Sequence, residues 1–296
     1  MQGDTGPKVR LVQAPNPGPL TGSGTNTWLI GQGHVAVIDP GPALNAHLTA
    51  IFAALQPGER ITHILITHNH LDHTGLVPDL VKATGAATAG FGTAVTGRSA
   101  TMQRLAAAGL ADGGEGIDHA FAPVMTLGDG DTLAGESWAV QAIHTPGHAA
   151  THLCFATGQH LFSGDHVMGW SSSLISPPDG DMGQYMASLQ RLALGDWATA
   201  YPGHGPVIDL PGTRIAALHA HRQQREAALL AALTEKEMGL HTLTAAVYHD
   251  VPVEMHRAAR RNVLAHVIDL HGRNLVICDD LCAPDPAITL AQSFPT

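Results

Sequence analysis

Through the first two hundred residues, apolar side chains come in short runs broken by glycine and proline rather than in long helical stretches. "TNTWLIG" and "HVAVIDPGP" predict paired strands, the second stopped by Pro40-Gly41. "ITHILITH" reads as a buried strand, and "GLVPDLVKATG" as a short helix that carries Pro78 in its first turns. "SWAVQAIHTPGH" is a strand that ends in a Thr-Pro-Gly turn. "THLCFATG" and "QHLFSGD" form a hairpin across Thr157-Gly158, residues 182–194 are helical, and "WATAYPGHGP" is a strand entering a Gly/Pro loop.

The texture changes near residue 211. Ile215, Leu218, Leu229, Leu230 and Leu233 recur at helical spacing in "TRIAALHAHRQQREAALLAALTE". "TLTAAVYHD" is a short helix with Thr242 or Thr244 as N-cap. "PVEMHRAARRNVLAHVIDLHGR" is a third helix closed by Gly272, followed by the strand "NLVICDD". Three helices and a terminal strand make a winged-helix-like module over residues 211–296, after a larger domain over residues 1–210. The last Pro-rich dozen residues read as a loose tail.

Composition narrows the class. The chain has 296 residues, enough for one large and one small domain, and its 44% hydrophobic content is that of a globular protein. Cys154, Cys278 and Cys282 are widely split with no CxxC pair, which argues for a reducing compartment. The N-terminus lacks an apolar core of signal-peptide length and no run reaches membrane-spanning length, so a cytoplasmic protein with no membrane partner is expected. The net charge of −10 disfavours broad binding to nucleic acid. It is uneven: 7 basic and 16 acidic residues precede residue 211, against 8 and 9 after it.

Twenty histidines matter less for their number than for their placement. In "ILITHNHLDHTG" they crowd the end of a buried strand, where neither a packed core nor a solvent loop needs them. His68 and His70, two apart on extended chain, project to one side, and Asp72 and His73 follow where the chain swings into a helix. Imidazole is the commonest metal-binding side chain and aspartate adds anionic oxygen, so the run supplies two ligand pairs. At this chain's own residue frequencies the pattern arises by chance about once in two hundred such chains, which disfavours an incidental histidine-rich loop. His148 in "HTPGH", Asp165 in "HLFSGD" and His204 in "YPGHG" each sit at a strand's C-terminal end, where open α/β sheets place ligands. Five histidines and two aspartates suit two metals.

Together these residues resemble the metallo-β-lactamase fold superfamily, marked by HxHxDH followed by separate His, Asp and His, over roughly residues 20–210. "HTPGHAATHLCF", "LFSGDHVMGW", "YPGHGPVI" and the helical tail are most similar to the lactamase-beta-like protein 2 branch, which adds a C-terminal winged helix. The resemblance implies a four-layer αββα sandwich, with His68, His70 and His148 on one metal. It places Asp72, His73 and His204 on the second, with Asp165 bridging. It implies two divalent transition metals, zinc first with iron or manganese as alternatives, and hydrolysis by a hydroxide held between them. Asp72 would accept or orient that water's proton, or act as a ligand only. No cysteine falls in a metal motif, unlike several true metallo-β-lactamases.

Around this set, Asp39 in "VIDPGP" is expected to hydrogen-bond a ligand histidine, or merely to form a turn before Pro40. Thr67 and Thr145 are candidates for capping backbone amides, and residues 168–182, with Trp170 and Ser171 to Ser173, for a substrate wall. Tyr185 and Tyr201 could donate to substrate, but packing is the commoner role. His144, His152, His160 and His166 are expected to be solvated or backbone-bonded. Three functions compete. The acidic surface favours a hydrolase for a small-molecule ester, thioester or lactone. The alternative is an endoribonuclease for single-stranded RNA, which the branch resemblance and the Arg257, Arg260 and Arg261 helix face support. Those arginines read equally as a solvated face that pairs with Glu254. The third, a diiron sensor, would need a partner domain that the sequence does not show. Only 38 residues separate Asp165 from His204, too few for an inserted nuclease domain.

Overall fold

The computed structural model describes residues 8–111, 113 and 116–291. The first sheet takes β1 (Val9–Gln13), β2 (Asn26–Ile30), β3 (His34–Ile38), β4 (Arg60–Leu65), β5 (Ala87–Gly90) and β6 (Met125–Thr126) in sequence order. Its first three strands run antiparallel and its last four parallel. The second sheet takes β7 (Thr132–Ala134), β8 (Ala139–His144), β9 (Leu153–Thr157), β10 (His160–Gly164) and β11 (Thr199–Pro202), with β11 parallel to β10. The β9–β10 hairpin turns at Gly158-Gln159, one residue beyond the expected Thr157-Gly158.

Alternation along the strands builds the layers. Leu29, Val35 and Val37 point to one face of the first sheet, where they meet Ile51 of α1 (Asn45–Ala53) and Val77 and Leu80 of α3 (Val77–Thr84). Trp28, Ile30, Ala36 and Ile38 point to the other and pack on Val140, Ala142, Phe155 and Phe162 of the second sheet. The far face of that sheet, with Cys154 and Leu161, is covered by Leu189 and Leu192 of α5 (Met182–Leu192) and by Ile215 and Leu218 of α6 (Pro211–Leu233). Helix, sheet, sheet, helix is the expected four-layer sandwich, and each strand serves two cores because its side chains alternate. Between α1 and α3 lies the one-turn α2 (Leu71–Thr74), and α4 (Ala100–Ala107) follows β5.

The C-terminal half of α6 joins another core. Leu229 and Leu233 pack with Leu243 of α7 (Leu240–Val247), Val263 and Val267 of α8 (His256–Gly272), and Met102 of α4. A three-stranded sheet closes this module, in the order β12 (Met238–Gly239), β14 (Ala287–Leu290), β13 (Val276–Cys278). Here the structure corrects two expectations. Residues 287–290 are the central strand of that sheet, not part of a loose tail, because Ile288 alternates into the core; residues 292–296 lie outside the described residues. Neither Thr242 nor Thr244 caps α7: the helix starts at Leu240, Asp285 Oδ1 accepts from the His241 amide at 2.7 Å, and Thr244 Oγ1 bonds back to the Leu240 carbonyl. α8 ends at Gly272 as expected, and the left-handed turn that follows it falls at Asn274, with φ of 58°. Among the described residues no helix is long and apolar enough to cross a membrane.

Candidate metal centre

Both sheets deliver their loops to one rim. The segment after β4 carries His68 and His70, and α2 adds Asp72 and His73 within one turn. His148 follows β8, Asp165 directly follows β10, and His204 lies two residues beyond β11. Two glycines make the approach possible. A Cβ on Gly147, at φ of 149°, would stand 2.4 Å from Tyr185 Cα. One on Gly203 would stand 2.3 Å from Asp165 Oδ1 and 2.8 Å from His73 Cε1. The "PGH" spellings before His148 and His204 are therefore steric requirements of the rim.

All seven sequence-predicted residues meet there. His68 Nε2 and His148 Nε2 lie 3.0 and 3.1 Å from His70 Nδ1. Asp72 Oδ2 lies 3.3 Å from His204 Nε2 and 3.6 Å from His73 Nε2. Asp165 touches both sets, with Oδ1 3.6 Å from His73 Nε2 and Oδ2 3.3 Å from His204 Nε2 and 3.8 Å from His148 Nε2. Three groups offer donor atoms mutually close enough to hold a metal ion: His68, His70 and His148; Asp72, His73 and His204; and His68, His73 and Asp165.

The outward ring nitrogens are tied down. His68 Nδ1 meets Thr67 Oγ1 at 2.9 Å, and that hydroxyl donates to Asp39 Oδ2 at 2.7 Å. Asp39 Oδ2 also accepts from His73 Nδ1 at 2.9 Å. His148 Nδ1 donates to the Leu174 carbonyl at 2.6 Å, and His204 Nδ1 to that of Gly24 at 3.2 Å. A proton held on the outer nitrogen leaves a lone pair on the inner one, the arrangement that orients metal-binding imidazoles. The inner atoms want a partner. His73 Nε2 and Asp165 Oδ1 are buried with no hydrogen bond, and the His68 and His148 nitrogens, each near 3 Å from that of His70, suit neighbouring ligands of one site with Zn–N of about 2.0–2.1 Å. The residues fit a metal.

Electrostatics divides the site. Burial, then neighbouring imidazoles, hold His68 well below its ordinary value and His70 down at about 3, so both are neutral at pH 7. Burial works against charge on His73 and His204 too, but Asp72 and Asp165 outweigh it. They hold His73 well above the ordinary value and His204 at about 9. Conversely, burial raises Asp72 and Asp165, but His73 and His204 bring both below the usual carboxylate range.

The remaining predicted residues divide clearly. Asp39 makes the expected bond to a histidine of the cluster, and its φ of 51° makes it the turn residue as well. Thr67 and Thr145 do not cap amides: Thr67 links His68 to Asp39, and Thr145 Oγ1 meets His152 Nδ1 at 2.9 Å. His152 Nε2 accepts from the Asp165 amide, and His144 Nε2 donates to the Ala150 carbonyl. Tyr185 is fully buried and donates to the His166 carbonyl, while Tyr201 stacks on Phe162. Cys154, Cys278 and Cys282 are free thiols. Nothing in the sequence marks Asn26, whose Nδ2 holds the Pro202 and Gly205 carbonyls on either side of His204. Arg257 and Arg261 donate to the carbonyls of Gly113 and Ala111.

The cluster floors a chamber of about 470 Å³. Ser171 and Ser172 line it as expected; the rest of the wall is largely apolar, with Leu20, Leu71, Met168 and Leu174 on one side and Val251 and Met255 on the other. Asp72 is the more open carboxylate, its side chain 28% exposed against 10% for Asp165.

Residues 20–204 match the family described as the metallo-beta-lactamase superfamily, and residues 240–281 the beta-lactamase associated winged helix domain. The chain is 32% identical over 268 residues to the lactamase-like protein nscB of Aspergillus fumigatus, covering 84% of this chain and 73% of that one. It is 33% identical over 232 residues to the atrochrysone carboxyl ACP thioesterase AgnL7 of Paecilomyces divaricatus, covering 77% of this chain and 65% of that one. The crystal structure of a metallo-beta-lactamase family protein from Thermus thermophilus has the same fold, with a TM-score of 0.75 at 24% identity over 95% of this chain and 98% of that one.

Proposed function

Because the chain belongs to the metallo-beta-lactamase superfamily and is a hydrolase, we propose that it cleaves a thioester or related ester through two divalent cations. His68, His70 and His148 would hold one cation, Asp72, His73 and His204 the other, with Asp165 shared. Imidazole and carboxylate suit zinc, iron or manganese, with zinc the first candidate. Bound there, the cations would supply Lewis acidity, acidifying water and polarising the substrate carbonyl. The observation that carries this reading is the convergence of the seven side chains on the floor of a mostly apolar chamber.

The chain's own residues do the rest. Thr67, Asp39, Leu174 and Gly24 fix the imidazole tautomers. Asp72, the more exposed carboxylate, accepts or orients the proton of the attacking water. Leu71, Met168 and Leu174 seat an apolar acyl group and exclude bulk water. The thioesterase relative supports a thioester. Phosphodiester cleavage is less favoured, since Arg257 and Arg261 are spent on loop carbonyls. The division into domains at residues 1–210 and 211–296 belongs to the same proposal.

The test is turnover of a panel of acyl thioesters beside a fluorescent single-stranded RNA, each with Asp72→Asn as control. Thioester hydrolysis that is lost in the variant supports the reading. Metal-dependent cleavage of the RNA alone replaces it with the nuclease, and no turnover of either sinks both.

Metal loading is expected to depend on pH in one direction. Because His73 and His204 are raised, their charged forms stabilise the metal-free fold below about pH 6.5, and the His204 part of this is lost as pH rises through about 9. Metal binding must displace those protons. The rise in Tm on adding zinc should therefore grow from pH 6.5 to 9, with about two protons released per chain at pH 7. Calorimetry in buffers of different ionisation enthalpy counts them; a pH-independent Tm shift with no proton release contradicts the assignment.

A further inference from the structure

Arg222 is 1% exposed and, among the described residues, has no carboxylate partner. Burying a guanidinium without a counter-ion is costly, and an apolar side chain of similar size would avoid the cost. The position of its donors accounts for it. Nη2 donates to the Ser173 carbonyl, Nη1 donates to Asn262 Oδ1 at 3.3 Å, and the guanidinium lies 5.2 Å over the Tyr185 ring. Asn262 Oδ1 in turn accepts from the Ile175 amide at 2.9 Å. Two helices of the C-terminal part, α6 and α8, thus grip the backbone of residues 173–175.

That short stretch faces the cluster on its other side. The Leu174 carbonyl accepts from His148 Nδ1 at 2.6 Å, and Ser173 Oγ bonds the Asp165 carbonyl. We infer that Arg222 and Asn262 are positioning residues for the metal site, acting through the 173–175 backbone to set the His148 ring and the Asp165 main chain. The winged helix module thereby becomes part of the hydrolase site. This rests on the reading that the seven residues hold cations.

The test uses the full chain with zinc and cobalt(II) as probes. Arg222→Met should bind one of the two zinc equivalents about tenfold more weakly in competition with a chromophoric chelator. Its cobalt absorption bands should shift as the His148 ring loosens. Asn262→Asp keeps the acceptor for both donors and should retain wild-type affinity. Ser173→Ala removes the hydroxyl link without touching either helix and should weaken zinc in the same direction, so it serves if Arg222→Met does not fold. Leu229→Ala hollows the C-terminal core away from the loop and should lower Tm while leaving zinc affinity unchanged. Wild-type zinc affinity in both Arg222→Met and Ser173→Ala overturns the inference, as does an equal loss in Leu229→Ala. A wild-type chain that takes up no zinc sinks the metal reading itself and this inference with it.

Discussion

Asp165→Asn is expected to lower kcat/KM on the order of a thousandfold, about 4 kcal/mol of transition-state stabilisation, and also to lower the Tm of the metal-free chain at pH 7, because the buried charges on His73 and His204 lose an anionic partner. Asp165 is the side chain that touches both halves of the cluster, through Oδ1 to His73 and Oδ2 to His204 and His148. Asparagine has the same shape, and the backbone that aims it is held independently by His152 Nε2 on the amide and Ser173 Oγ on the carbonyl. The change therefore removes charge, not position. In the proposed two-cation site this would remove one of two anionic ligands that offset four cationic charges, so one metal equivalent should weaken 10–100-fold. Zinc content, chelator competition and kcat/KM check this together; a variant holding two tight equivalents and turning over within tenfold of wild type would refute the bridging role.

The cluster was legible because metal chemistry needs specific side chains at strand ends, and strand ends are marked by glycine and proline. His68 to His73, "HTPGH", "FSGD" and "YPGHG" each carry both signals. What orients the cluster was largely not legible. His148 and His204 lean on the carbonyls of Leu174 and Gly24, and every residue has a carbonyl. Arg222 looks like one more polar residue on a long amphipathic helix, and Asn262 lies 40 residues away from it. Thr67 shows the same limit: nothing local says that its hydroxyl serves a neighbouring imidazole rather than an amide.

The fold divides similarly. Alternation in "TNTWLIG" and "HVAVID" predicted both strands because each serves two cores. β14 was missed since four residues after Pro286 carry too little pattern, and its identity as the central strand depends on partners from residues 238–239 and 276–278. The start of α7 is hidden for a similar reason: the carboxylate that takes its His241 amide belongs to Asp285, 44 residues further along the chain.

Asp39 is where fold and chemistry coincide, and two substitutions should separate them. Its buried carboxylate accepts the Thr67 amide at 2.8 Å, the Thr67 hydroxyl at 2.7 Å and His73 Nδ1 at 2.9 Å. Asp39→Ala would strand a buried amide and an imidazole N–H, each costing about 1–3 kcal/mol. It would also force alanine to φ of 51°, for about 1–2 kcal/mol more. A loss of about 3–8 kcal/mol is expected, which lowers Tm by roughly 10 °C or more in a domain of this size. Asp39→Asn is different. Asparagine tolerates the left-handed region and keeps an acceptor oxygen, so most stability should remain. Its amide group, however, cannot accept from both Thr67 Oγ1 and His73 Nδ1, so the proton that fixes the His73 tautomer loses its anionic partner. Activity should fall 10–100-fold while Tm drops only a few degrees. Parallel losses of Tm and activity in both variants would mean that Asp39 merely builds the turn. Wild-type activity in Asp39→Asn would mean that His73 is held by its neighbours without this carboxylate.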